Sequence, residues 1–203
     1  MRVNGDRSVT TSARRAQIVA ATIETIAELG YRQATFARIA ERAGLSSTRL
    51  ISYHFDGKDD LVRAVIEDVY ARIGGFMGQR MAGCPDARTA LRTYISSLIE
   101  FIAANRARMQ ALTAVFLDYR TEDGERSYDS GDEQNVLGHL EGIMRAGQES
   151  GEFRAFDTFV MAATVQRSID GLPFLLQTRP DLDLERCASE LATLFDLATR
   201  SAL

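Results

Sequence analysis

Apolar residues recur along this chain at intervals of three and four positions, the spacing that places side chains on one face of an α-helix. No stretch as long as a β-strand alternates apolar and polar residues as a strand does, and no segment is repeated. The predicted helices span about residues 12–29, 35–43, 47–55, 58–82, 86–104, 105–118, 133–150, 156–178 and 183–198. The pattern predicts an all-α protein.

Two segments lack the helical period. Residues 1–10 predict an irregular arm, in which Arg2 and Arg7 are suited to following a DNA groove, although such a tail is more often simply solvated. Residues 120–132 contain Asp, Glu, Gly and Ser with almost no apolar residue, which predicts an acidic loop.

The predicted helix over residues 58–82 is long enough to belong to two domains. Gly74, Gly75 and Gly78 are expected to interrupt it. Two explanations for the Gly74–Gly75 pair stay open at this point. The pair is either a hinge that transmits movement between domains, or the place where another helix packs too closely for side chains.

Two short helices joined by a tight turn are predicted between residues 35 and 55. The apolar face of the first helix consists of Phe36, Ile39, Ala40 and Ala43. Thr35 is placed to cap this helix, Gly44 to end it, and Ser46 or Ser47 to cap the second. Two helices around a glycine turn are typical of the helix-turn-helix motif. The same arrangement also occurs in proteins that use it only for packing.

The polar residues of this stretch favour DNA. The second helix carries Ser46, Ser47, Thr48 and Arg49 near its N-terminus, the end that such helices insert into the major groove. Lys58, the only lysine in the chain, falls at the start of the next helix, where Asp56 or Gly57 is the expected cap. A cation beside a helix N-terminus forms a phosphate site.

These residues carry a resemblance to a known family. Residues 34–46, Ala-Thr-Phe-Ala-Arg-Ile-Ala-Glu-Arg-Ala-Gly-Leu-Ser, and residues 53–61, Tyr-His-Phe-Asp-Gly-Lys-Asp-Asp-Leu, resemble the N-terminal domain of TetR (tetracycline-repressor-like) transcriptional regulators. The match covers about a quarter of the chain, and the remainder is similar in length and helical layout. The resemblance implies that Thr35, Tyr53, His54 and Lys58 bind DNA, together with the group from Ser46 to Arg49.

The chain departs from the family pattern at one place. It holds one residue more between Gly44 and Phe55 than the usual pattern, and Ser52 stands where the family commonly has an aromatic residue. Which residue from Ser46 to Arg49 reaches a base therefore stays open.

The charge distribution agrees with a DNA-binding N-terminus, although the effect is modest. The 203-residue chain has a net charge of −4. Residues 1–58 hold nine Lys/Arg against five Asp/Glu, whereas residues 59–203 hold fifteen against twenty-three. This asymmetry is expected when only one end of a protein contacts phosphate. We predict a DNA-binding domain over residues 11–58 and a ligand-binding and dimerisation domain over residues 59–203.

The last two predicted helices are more apolar than one core needs. Residues 156–178 are apolar nearly all round, and Pro173 is expected to kink that helix. Pairing with the same helices of a second subunit, as a four-helix bundle, would bury the excess, and the resemblance implies the same homodimer. A central helix in a monomeric core is the alternative. The predicted dimer seam contains Ile169, Leu172, Leu176, Leu191 and Phe195.

The middle helices are rich in aromatic and methionine residues. Methionine adapts to varied ligands, and apolar pockets between helices are common binding sites. An ordinary core explains each residue better when it is taken alone, and the resemblance is what implies a small-molecule pocket. The candidate lining is Phe76, Met77, Phe101, Met109, Phe116, Met144 and Phe159.

Other classes of protein have little support. Cys84 and Cys187 lie far apart without companions at metal-ligand spacing, so reduced thiols and no metal or other cofactor are expected. The chain has no apolar run of membrane-spanning length and no signal-peptide core, so the expected location is the cytoplasm. His139 has no evident partner, and motifs for phosphate loops, nucleophiles or spaced metal ligands are missing, which argues against an enzyme.

The predicted function is therefore transcriptional regulation by a homodimer. We expect a repressor that a small apolar or amphipathic ligand releases from a pseudo-palindromic operator in double-stranded DNA. A ligand-independent helical DNA-binding or adaptor protein is the alternative, and a small all-helical enzyme is the third possibility.

Overall fold

The protein is helical throughout the part described by the computed structural model, which covers residues 4–120 and 130–201, with side chains for residues 11–120, 134 and 136–201. Phe153 and Arg200 form an isolated antiparallel β-bridge. The described helices are α1 (Asn4–Leu29), α2 (Phe36–Arg42), α3 (Arg49–His54), α4 (Gly57–Met81), α5 (Ala87–Ala104), α6 (Arg106–Asp118), α7 (Ser130–Glu149), α8 (Thr158–Asp170), α9 (Leu172–Thr178) and α10 (Leu184–Thr199), with a 3₁₀ turn at Tyr31–Gln33. The predicted all-α fold is confirmed.

The described residues form two compact units. The first contains residues 4–71 and 107–120, and the second contains residues 72–106 and 130–201. Helix α4 belongs to the first unit as far as residue 71 and to the second beyond it. The predicted division between residues 58 and 59 concerns function, which compactness does not test, so it stays a prediction.

Apolar faces of short helices build the core of the first unit. The apolar stripe of α1 is buried, and its members are Ile18, Val19, Ile23 and Ile26. Ile39 of α2, Ile51 of α3 and Leu61 of α4 are each at most 1% exposed. Because α2 and α3 have seven and six residues, too few for a helix that is stable by itself, this burial holds them in place.

Helix α5 is central to the second unit and packs against α7, α8 and α10. Asp86 caps the start of α5, where its Oδ1 accepts a hydrogen bond from the Thr89 backbone N–H at 2.6 Å. The Glu152 carboxylate accepts two further bonds at the same helix end, from the Ala87 and Arg88 backbone N–H groups at 3.3 and 3.2 Å. These carboxylates satisfy N–H groups that have no partner within the helix.

Three features of the predicted helices are corrected by the structure. The irregular arm predicted over residues 1–10 is helical from Asn4, because each residue added to an existing helix gains a hydrogen bond at little further cost. Helix α4 runs without interruption through its three glycines. The helix predicted over residues 156–178 is two helices, α8 and α9, separated at Gly171.

Proline explains the break between α8 and α9. Pro173 lies in the first turn of α9, where its missing N–H has no partner to lose. In a continuous helix the same ring would clash with the carbonyl of Ile169. The acidic loop predicted over residues 120–132 falls largely outside the described residues, and α7 already begins at Ser130.

Candidate nucleic-acid interface

The predicted helix-turn-helix is present as α2, a turn over residues 43–48 and α3. Thr35 is the N-cap of α2, and its hydroxyl accepts a hydrogen bond from the Arg38 backbone N–H at 3.4 Å. Gly44 turns the chain after α2 with a φ of +63°, a conformation that glycine adopts at low cost. The Leu45 N–H then donates to the Ala40 carbonyl at 2.8 Å. Both predicted ends of α2 are confirmed.

Helix α3 begins later than predicted. Thr48 occupies its N-cap position without a side-chain hydrogen bond, so neither Ser46 nor Ser47 is the N-cap. Thr48 already has a helical backbone, with φ −60° and ψ −21°. The Ser47 hydroxyl instead bridges the turn and accepts a bond from the Arg49 N–H at 3.1 Å. Ser46, Ser47 and Thr48 of the predicted DNA-contact group thus lie in the turn, and Arg49 is the first residue of the helix.

Helix α3 has one anchored face and one exposed face. Ile51 is fully buried and Phe55 is 2% exposed, so both attach the helix to its unit. Tyr53 is 78% exposed, and its ring meets that of His54 edge to face, with centroids 5.0 Å apart. The exposed residues of the turn and helix are Ser46, Ser47, Thr48, Arg49, Leu50, Ser52 and Tyr53. Hydroxyls and a guanidinium on such a face match the groups that contact base edges and phosphates.

Lys58 lies against an aromatic ring. Its Nζ is 4.1 Å from the centroid of Tyr31, a cation–π contact. Burial lowers the pKa of Lys58, while the neighbouring Asp59 carboxylate acts in the opposite direction. At this helix start the Asp60 Oδ2 accepts a bond from the Asp56 N–H at 3.1 Å, and Asp56 stands directly before Gly57, the first residue of α4.

A tyrosine cluster that the sequence did not reveal joins the end of α6 to this region. The rings of Tyr31 and Tyr119 meet edge to face, with centroids 5.6 Å apart. Burial, together with a hydrogen bond to Asp59, raises the pKa of Tyr119 to about 12. Arg32 and Asp118 form an ion pair at 3.3 Å. Tyr119 follows the apolar stripe of α6, and no pattern along the chain connects it to residues so distant in sequence.

The seven predicted pocket residues are divided between the two units. Met109 and Phe116 belong to the first unit, where the Phe116 ring lies 6.5 Å from that of Tyr70. The residues in the second unit are Phe76, Met77, Phe101, Met144 and Phe159. The rings of Phe76 and Phe101 are 5.6 Å apart, whereas Phe159 is 53% exposed. Their role in ligand binding stays a prediction.

A cavity of about 590 Å³ in the second unit has a different lining. It is largely open to solvent and lies beside the start of α5 and one face of α7. The lining residues are Cys84, Pro85, Asp86, Ala87, Ala90, Gly138, His139, Gly142, Ile143, Ala146, Ser150 and Glu152. Sequence reasoning missed this cavity because glycine and alanine on α7 give no chemical signal of a site.

Most residues of the predicted dimer seam are buried within their own chain. Those at most 6% exposed are Ile169, Leu172, Leu176 and Phe195, while Leu191 is partly exposed. Other apolar residues of α8, α9 and α10 are 44–58% exposed, namely Phe159, Val160, Phe174, Leu175, Leu194 and Leu197. The helical period does not distinguish a face that meets the chain's own core from one that meets a partner. The seam itself stays a prediction.

Across residues 11–120 and 136–201 no group of three or more His, Cys, Asp or Glu side chains is arranged to hold a metal ion. Each helix there is too short or too polar to cross a membrane.

Similarity to known proteins agrees with the geometry of α2 and α3. The family model for bacterial regulatory proteins of the tetR family matches residues 18–65. The HTH-type transcriptional regulator BetI 1 of Chromohalobacter salexigens is 35% identical over 102 residues, which is 50% of each chain. The chain thus spans about half the length of the curated relatives it matches.

Solved structures extend the similarity of fold over nearly the whole chain. A tetR-family regulatory protein from Rhodococcus RHA1 aligns with a TM-score of 0.80 at 19% identity, covering 94% of this chain and 98% of that one. FadR from Bacillus subtilis, solved with stearoyl-CoA, aligns with a TM-score of 0.74 at 22% identity, covering 89% and 96%. Residues 18–65 thus match the tetR family of bacterial regulatory proteins, and the fold as a whole is similar to that of solved tetR-family proteins.

Proposed function

We propose that this protein binds double-stranded DNA as a transcriptional regulator, and that it is a repressor released from its operator by a small molecule. The exposed face of α3 carries the proposal. Arg49 and Tyr53 point to solvent there, while Ile51 anchors the same short helix. An anchored helix with donors on its outer face suits insertion into the major groove. The BetI relatives, which are named HTH-type transcriptional regulators, support this class of function.

The residues of the interface have different roles in this proposal. Arg49, exposed at the first position of α3, is placed to grip O6 and N7 of a guanine with its planar guanidinium. Other residues near the groove approach phosphates, namely Thr35, Ser46, Ser47, Thr48, Tyr53 and His54. Lys58 exchanges its contact with the Tyr31 ring for a phosphate when DNA binds. Phosphate contacts set the register of the protein on the duplex, and base contacts set its sequence preference.

Two copies of the chain act together in this proposal. The α3 helices of the two copies act as recognition helices related by a two-fold axis, and they contact half-sites about 34 Å apart, one turn of DNA. The exposed apolar residues Leu194 and Leu197 on α10 offer a surface for the second copy. Because each leucine is already about half buried, covering the rest of it contributes about 1 kcal/mol, which a chain without a partner would forgo.

Residues 59–203 serve ligand binding and dimerisation in the same proposal. FadR with stearoyl-CoA shows that this fold accommodates a ligand with a long apolar chain, and we propose an apolar or amphipathic ligand here. Within the first unit, Tyr119 and Asp118 at the end of α6 contact the region beside Lys58. A ligand that favours another position of α6 would therefore disturb DNA binding. It acts only through its different affinities for the two states.

Mobility shift with the DNA upstream of the protein's own gene tests the DNA-binding proposal. We expect tighter binding to this fragment than to random DNA of equal length, with a steep dependence on salt. Arg49→Ala should reduce the preference, whereas Arg92→Ala, which removes an exposed arginine from α5, should not. Equal affinity of the folded wild type for upstream and random DNA would contradict the proposal.

Thermal shift tests the ligand proposal separately. Stearoyl-CoA and shorter acyl-CoAs are suitable first probes because of the FadR similarity. A ligand that raises the melting temperature and releases the protein from DNA supports a sensor. Stabilisation without release would instead favour a ligand-independent DNA-binding protein.

A further inference from the structure

Two side chains of α1 bind backbone carbonyls at the ends of both helices of the helix-turn-helix. Gln17 donates from Nε2 to the carbonyl oxygen of Ala43, the C-cap residue of α2, at 2.7 Å. Arg15 donates from Nη1 to the carbonyl oxygen of His54, the last residue of α3. The Arg15 guanidinium carbon also lies 4.1 Å from the centroid of the Phe55 ring. One short segment of α1 thus contacts the C-terminal ends of α2 and α3 together.

A third residue of α1 orients this contact. Arg14 donates from Nη1 to Gln17 Oε1 at 2.7 Å, so the carbonyl side of the Gln17 amide is occupied. The amide nitrogen then faces Ala43. With a partner on each side, the Gln17 side chain has one favoured orientation.

The last carbonyls of a helix lack partners within the helix and carry partial negative charge. A guanidinium donor at this end is therefore favourable, and hydrogen bonds from charged groups are stronger than neutral ones. Because α3 has only six residues, its direction depends on such outside contacts. A tilt of α3 would move Arg49 and Tyr53 away from the positions at which both meet the DNA.

We propose that Arg15 and Gln17 are positioning residues for sequence recognition, an inference that rests on the proposed DNA-binding function. They hold α3 against α2 so that the exposed groups of α3 reach one half-site together. They do not contact DNA. Arg15 is part-buried, and its guanidinium is engaged by the His54 carbonyl and the Phe55 ring.

The test compares specific with non-specific binding. The wild-type protein first selects a preferred duplex from a random-sequence pool. The dissociation constants for this duplex and for random duplex are then measured over a range of salt, at a temperature where every variant is folded. The variants are Arg15→Met, Arg15→Lys and Gln17→Leu, and Arg92→Met on α5 is the control for loss of an exposed positive charge.

We expect Arg15→Met and Gln17→Leu to weaken binding to the selected duplex about tenfold, the equivalent of one hydrogen bond. Their binding to random duplex and their salt slopes should match the wild type. Arg15→Lys should recover part of the loss, because it keeps a cation at the His54 carbonyl. Arg92→Met should behave as wild type.

Two results would overturn the proposal. If Arg15→Met weakened binding to both duplexes and lowered the salt slope by about one, Arg15 would be a phosphate contact. If Arg15→Met lowered the melting temperature but left binding to the selected duplex unchanged, the contact would serve stability alone.

Amide hydrogen exchange without DNA separates this inference from the proposed function. The Phe55 N–H donates to the Ile51 carbonyl at 2.9 Å and reports on the end of α3. We expect faster exchange at Phe55 in Arg15→Met, and unchanged protection would refute positioning. If the wild type selected no sequence from the pool, the DNA-binding function would fail, while the exchange measurement would still decide whether Arg15 holds α3.

Discussion

Replacing Gly147 with alanine should destabilise the second unit, although the substitution improves helix propensity. An ideal Cβ on Gly147 would lie 2.1 Å from Cδ2 of Phe153 and 2.5 Å from its Cε2. The ring has little room to withdraw, because Phe153 is 3% exposed and its N–H donates to the Gly147 carbonyl at 2.8 Å. Gly142 lies on the same helix, and no side chain or other segment among the described residues comes within 4 Å of its ideal Cβ, which makes it the matched control.

The two substitutions should change stability in opposite directions. Each gains up to about 1 kcal/mol from replacing glycine in a helix. Gly147→Ala also incurs an overpacking cost of about 1–3 kcal/mol, and the degree of overlap places it at the upper end. We expect a net loss of about 2 kcal/mol, which lowers the melting temperature by about 4–8 °C. Gly142→Ala should raise it by about 2–4 °C.

Thermal unfolding followed by circular dichroism measures both changes. Adding Phe153→Leu to the wild type and to Gly147→Ala completes a double-mutant cycle. The leucine should cost less stability in the Gly147→Ala variant than in the wild type, with a coupling of about 1 kcal/mol or more. A melting temperature of Gly147→Ala equal to or above that of the wild type would refute the argument, as would the absence of coupling.

The remaining predictions concern DNA binding, assembly and the glycines of α4. Arg49→Ala should lose about 1–3 kcal/mol of discrimination between sequences, whereas Lys58→Ala should weaken binding to all sequences and lower the salt slope by about one. If quantitative mobility shifts gave the two variants the same salt slope and the same loss of affinity, their roles would not be separate. Leu194→Glu places a charge on the exposed apolar face of α10 and should give a folded monomer that binds its operator weakly. Sedimentation will detect the monomer, and a stable dimer would exclude this face as the dimer interface. The double change of Gly74 and Gly75 to alanine should raise the melting temperature, because an added Cβ meets no side chain or other segment of the described residues within 4 Å at either position. It should keep DNA affinity and make release by a ligand less effective, since a stiffer helix bends less. A lower melting temperature would contradict the hinge.

The structure bears on the two explanations for the Gly74–Gly75 pair. Close packing of a neighbouring helix would leave an added Cβ in contact with other atoms, and among the described residues nothing lies within 4 Å of either position. Helix α4 nevertheless continues through both glycines without a break. The hinge therefore stays a prediction about movement, to be decided by the double substitution.

Local features of the interface were readable from the sequence by itself. Thr35 caps the start of α2 and Gly44 turns the chain after its end, as predicted, because capping and left-handed turns depend on the chemistry of one residue and its nearest neighbours. The apolar stripe of α1 is buried for a similar reason, since helical periodicity follows from the residue order. The resemblance of residues 34–46 and 53–61 to a known family indicated which helix would contact DNA. These features together determined the fold class and the place of the candidate site.

The tertiary structure alone decided which side chains meet across the molecule. Lys58 was predicted as a cation beside a helix N-terminus, and nothing in the sequence indicated that its ammonium lies over the Tyr31 ring. Tyr119 contacts both Tyr31 and Asp59 from the far end of α6. Arg15 and Gln17 gave no signal of a role at the ends of α2 and α3. Ile169 and Phe195 have the spacing of an interface and are buried in their own chain. Periodicity defines the apolar face of a helix but not what covers it, because the covering residues are brought there by the packing of distant segments.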